Sequence, residues 1–70
     1  MNHNQEILLN QITRHPGQTA TEILETIEHS NLMNISDVLF ELEILKSAKK
    51  VESGFEQNRG FVWHPVRGES

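Results

Sequence analysis

A chain of 70 residues makes one domain, and at this size only about 60% of the surface exposed by the unfolded form is buried on folding, so the core must be compact. The absence of cysteine excludes a disulfide framework and a thiolate metal site. The net charge of −4, from six Lys or Arg against ten Asp or Glu, has the wrong sign for nucleic-acid binding by bulk electrostatics, since Lys and Arg supply most of that affinity.

The hydrophobic share is 36%, low for a globular chain, but it is gathered into periodic segments, which argues for folding rather than disorder. The opening Met1-Asn2-His3-Asn4-Gln5 has neither a basic stretch nor an apolar core of signal length, and the run Ile7-Leu8-Leu9 is far too short to span a bilayer. A cytoplasmic protein without membrane contact is the expectation.

A first helix is predicted from about Asn4 to Arg14, with Ile7, Leu8 and Ile12 on one face. His15-Pro16-Gly17 ends it, because proline pushes the residue before it out of helical geometry and glycine permits the turn. After a short extended link, Thr19-Ala20-Thr21-Glu22 has the form of a capping box, in which hydroxyl and carboxylate satisfy each other's backbone amides. Ala20, Ile23, Leu24 and Ile27 follow at helical spacing and predict a second helix of about ten residues, closed by His29-Ser30-Asn31.

A third helix is expected to begin near Asn34 or Ser36, both good caps, with Asp37 placed well against the helix dipole. Ile35, Val38, Leu39, Leu42 and Leu45 form its expected buried seam, and it runs to about Lys49. Beyond it, Val51 to Phe55 and Gly60 to His64 are short and rich in β-formers, with polar Glu56-Gln57-Asn58-Arg59 between them, so they predict a β-hairpin. Pro65 stops the second strand, which puts the domain at residues 1–65 and a frayed tail at 66–70.

Three helices followed by a hairpin over so small a core make an α+β chain that resembles the winged helix-turn-helix superfamily from about Gln5 to Pro65. The stretch from Ile35 to Val51 is the most telling: it looks like the family's recognition helix running into the first wing strand, where members show a "vs..L..L...G.V" pattern. In length and layout the chain also resembles the small transcriptional regulators of fimbrial (adhesin) operons, which open with a run similar to Glu6-Ile7-Leu8 through Thr21-Glu22-Ile23. Val38-Leu39-Phe40 and Trp63 resemble Z-DNA-binding winged helices, but that group's proline pair before the tryptophan is missing, so this likeness is set aside.

The superfamily resemblance implies a third helix in the major groove and a wing on an adjacent groove or the backbone. Carried onto this chain, it implies contacts from Asn34, Ser36, Asp37 and Phe40 on the helix and from Gln57, Asn58 and Arg59 at the wing tip. Thr19 and Thr21 would donate to phosphate at the start of the second helix, and Lys46, Lys49 and Lys50 would add positive charge near the wing base.

The helical wheel pulls the other way. At about 100° per residue, Ser36, Asp37, Phe40, Ile44 and Ser47 point away from the seam, with Glu41 and Glu43 flanking them and no Lys or Arg among them. A groove-reading face normally carries Arg, Lys, Asn or Gln. Phe40 and Ile44, one turn apart and rimmed by Glu41, instead suggest contact with another protein. Trp63, Phe55 and Phe61 have a different expectation: at least two of them lock the hairpin onto the helices.

His3, His15, His29 and His64 have no two at helical ligand spacing, so no metal is expected, and no cofactor either. No phosphate loop, nucleophile elbow or paired carboxylates occur, and so small a core leaves little room for a substrate, so the chain is not expected to be an enzyme. Two functions remain. One is a small DNA-associated transcriptional regulator that binds duplex DNA weakly alone and works as a dimer or beside a second protein. The other is a winged-helix protein-interaction module, or an acidic antagonist of a DNA-binding protein.

Overall fold

The structure, a computed structural model, describes residues 2–27 and 33–66. The expected closure of the second helix at His29-Ser30-Asn31 and the tail beyond Val66 lie outside those residues. Element order is α1 (His3–Arg14), β1 (Gln18–Thr19), α2 (Ala20–Ile27), α3 (Ile35–Ser47), β2 (Val51–Glu56) and β3 (Gly60–Pro65).

Each helix starts where its sequence supplies a cap. Asn2 and Gln5 form a capping box on α1, and Asn34 and Asp37 form another on α3. At α2 the expected box is present: the Glu22 amide donates to Thr19 Oγ1 at 3.2 Å, and the Thr19 amide donates to Glu22 Oε1 at 3.0 Å. Gly17 adopts a φ of 89°, left-handed backbone that its lack of a side chain permits, and this turns the chain from α1 into β1.

The extended link between the first two helices is a strand. Gln18 and Thr19 pair antiparallel with Trp63 and Val62, so the sheet has three strands in the order β1-β3-β2. The hairpin pairs Val51 with Pro65 through Glu56 with Gly60. Its turn is closed by the Arg59 amide donating to the Glu56 carbonyl at 3.0 Å.

The core sits where the three helices meet the base of the sheet. Leu8, Ile12, Ile23, Ile27, Met33, Val38, Leu42, Leu45, Val51 and Trp63 form it. The expected seam of α3 needs correcting: Ile35 and Leu39 are exposed, while Glu41 takes the inward place. Gln5 Nε2 donates to Glu41 Oε1 at 2.9 Å, which gives the buried carboxylate a partner on α1.

The helix also ends earlier than expected, at Ser47 rather than Lys49. Lys49 has a φ of 62°, its amide donates to the Lys46 carbonyl, and the Lys50 amide donates to the Leu45 carbonyl. This is a Schellman close, in which the left-handed position usually belongs to glycine. With the leucines and valine of the family pattern set on Leu42, Leu45 and Val51, its glycine falls on Lys49.

Candidate nucleic-acid interface

The first turn of α3 is exposed, but two of its expected contact residues are already engaged. Asn34 Oδ1 accepts the Asp37 amide at 2.9 Å, and Asp37 Oδ2 accepts the Asn34 amide at 3.1 Å. Their side chains therefore hold the helix start, and Ser36 is the polar residue of that turn left facing solvent. Phe40, 65% exposed, and Ile44 lie on the outer face as the wheel indicated, but Glu41 does not rim them, because it is turned into the α1 contact. Leu39, 47% exposed, extends the apolar surface toward the hairpin.

Between α3 and the sheet lies an open groove of about 230 Å³, lined by Leu39, Glu43 and Lys46 on one side and Ser53, Phe61 and Trp63 on the other. Such a volume falls below the roughly 300–1,000 Å³ of typical small-molecule sites. Ser53 pairs with Trp63 and Phe55 with Phe61, so all four side chains share the sheet face turned toward α3. Only the base of that face is covered by helices.

The expectation that two or three aromatic residues lock the hairpin is therefore corrected. Trp63 alone is buried; Phe55 and Phe61 are 66% and 63% exposed and pack edge to face, with ring centroids 5.3 Å apart. Each ring covers part of the other, a contact that stiffens the projecting end of the hairpin without drawing on the core.

The wing-tip cation is also placed differently. Arg59 Nη1 donates to Glu56 Oε1 at 3.1 Å, and Nη2 contacts Glu22 Oε1 at the start of α2. Gln57 and Asn58 are exposed at the turn beside it. The Thr19 amide, and after it the Arg59 guanidinium, hold the Glu22 carboxyl below its ordinary value, and the bond to Glu22 raises Arg59. Thr21 is exposed next to this cluster, and the Thr19 hydroxyl is occupied by the cap. Lys46, Lys49 and Lys50 are exposed at the far end of α3 and, among the described residues, form no ion pair.

Among the described residues no group of His, Asp or Glu is placed to hold a metal, and no helix is long and apolar enough to cross a membrane.

Three helices, with a hairpin projecting beside the third, define the winged-helix fold. A solved structure carries the same architecture: the apo form of the Zalpha domain of zebrafish PKZ matches with a TM-score of 0.82, at 24% identity, over 94% of this chain and 95% of that one. At that identity the likeness establishes the fold. No family model and no curated protein matches the chain.

Proposed function

We propose that this chain is a nucleic-acid-binding winged helix acting as a small transcriptional regulator, with α3 and the hairpin as its contact face. One observation carries the reading. The fold, shared with a Zalpha domain, sets α3 beside a projecting wing, and the surface between them stays open. Contact is mainly non-ionic, through Ser36, Phe40 and the exposed wing aromatics, with Lys46, Lys49 and Lys50 meeting phosphates. So few cations give weak binding by one copy, and a second copy or a co-bound protein on the same DNA adds effective concentration.

The test is fluorescence anisotropy with a labelled duplex over a salt series. Three phosphate-contacting lysines give a log–log salt slope of about −2.7, and each Lys→Ala substitution makes it shallower by about 0.9. A flat salt dependence, or no binding in low salt, overturns the reading.

A second reading rests on a separate observation. Leu39, Phe40 and Ile44 form an apolar surface on a helix face that carries Asp37 and Glu43, which suits a protein partner. On that reading Phe40→Ala abolishes association with the partner, while the lysine substitutions leave it unchanged.

A further inference from the structure

Of the Lys and Arg side chains among the described residues, only Arg59 is ion-paired, and it is paired twice. The two carboxylates come from different elements: Glu56 from the end of β2, and Glu22 from the first turn of α2, 37 positions away in sequence. All three side chains are 40–47% exposed, so the cluster sits at the surface and no packing requirement demands it. Exposed ion pairs are weak and readily exchanged. Two carboxylates around one guanidinium also leave this cluster, though not the wing tip itself, with net negative charge.

We infer that Glu22 and Glu56 hold Arg59 out of nucleic-acid contact, acting as a built-in substitute for phosphate. This rests on the nucleic-acid reading above. The guanidinium fork matches carboxylate and phosphate oxygens by the same two-donor geometry, so a ligand phosphate competes for the donors that Glu22 and Glu56 occupy. Arg59 lies at the tip of the hairpin, where a wing reaches an adjacent groove or the backbone, and Thr21 is exposed beside the cluster. The carboxylates therefore restrain affinity at the cation best placed to raise it. Relieving the restraint, by substitution or by a basic partner that takes over the carboxylates, frees one phosphate contact.

The experiment titrates the same labelled duplex with the wild-type chain, Glu22→Gln, Glu56→Gln and the Glu22→Gln/Arg59→Ala double variant. Glutamine keeps an oxygen to accept the Thr19 amide, so the α2 cap persists; circular dichroism checks that each variant folds. Glu25→Gln, an exposed α2 position outside the cluster, controls for bulk charge. Glu22→Gln is expected to bind roughly tenfold tighter at low salt, with a slope steeper by about 0.9, and the double variant is expected to lose that gain. Glu56→Gln is expected to move affinity in the same direction.

A folded Glu22→Gln with wild-type affinity overturns the inference alone, as does a gain that persists without Arg59 or that Glu25→Gln reproduces. Absence of binding by every variant overturns the nucleic-acid reading and this inference with it.

Discussion

The bond between Gln5 and Glu41 is the test of how the helices are locked together, and its strength follows from its surroundings. Both residues are 9% exposed, and the 2.9 Å bond is the partner that the Glu41 side chain has on another helix. Hydrogen bonds to a charged group contribute about 1.5–3 kcal/mol, and a buried acceptor left without a partner incurs an uncompensated desolvation cost as well. Because Gln5 also closes the α1 capping box, Gln5→Ala alone mixes two losses. A double-mutant cycle of Gln5→Ala, Glu41→Ala and the pair separates them. The expected coupling is about 1–2 kcal/mol, against a total stability of roughly 3.5–10 kcal/mol for a domain this size. Urea unfolding followed by circular dichroism measures it. Additivity within about 0.4 kcal/mol refutes the interhelical lock.

Three further outcomes follow from particular residues. Trp63→Ala is expected to cost about 3–5 kcal/mol, while Phe61→Ala, which removes a mostly exposed ring and its T-shaped partner contact, costs about 1 kcal/mol; thermal melts of the two variants separate them. Lys49→Gly relieves the left-handed residue at the end of α3 and is expected to stabilise by about 1 kcal/mol, raising the melting temperature by roughly 4–8 °C, while making the DNA salt slope shallower. The Glu22 carboxyl titrates below its ordinary value of 4.5 in the folded chain, so its contribution to stability is present above that value and is lost as pH falls through the folded one. The stability of Glu22→Gln is therefore expected to lose part of the wild-type pH dependence as pH falls below that ordinary value, and an unchanged profile contradicts the assignment.

The order of elements was legible because each helix announces itself locally. Thr19 with Glu22 and Asn34 with Asp37 are caps written within three residues, and Ile23 and Ile27 keep helical spacing behind the first of them. What stayed hidden depends on partners far along the chain. Seven apolar residues on α3 offer two overlapping faces, and local periodicity favours one that includes Ile35 and Leu39. The actual face turns toward Glu41, because α1 supplies Gln5 across 36 positions.

The hairpin shows the same limit in another form. The observed register sets Phe55, Phe61 and Trp63 on one sheet face, but strand alternation says nothing about how far the helices reach along that face. They cover Trp63 and stop short of the phenylalanines. Nothing local marks the pairing of Arg59 with Glu22, because the two are 37 positions apart and share no sequence pattern. The short link at Gln18 and Thr19 carried too few residues to reveal a strand, and its pairing with β3 comes from the fold around it. Lys49, the expected end of the helix, instead takes the left-handed position just beyond it, which charge and hydrophobic spacing do not reveal.

Mapping amide chemical shifts as a short DNA duplex is added to the labelled chain tests the central claim most directly. The perturbations are expected at Ser36, Phe40, Lys46, Lys49, Lys50 and Phe61, along α3 and the inner face of the wing. Shifts confined to the solvent face of α1, at Glu6, Asn10, Thr13 and Arg14, or a spectrum that does not move at low salt, contradict it.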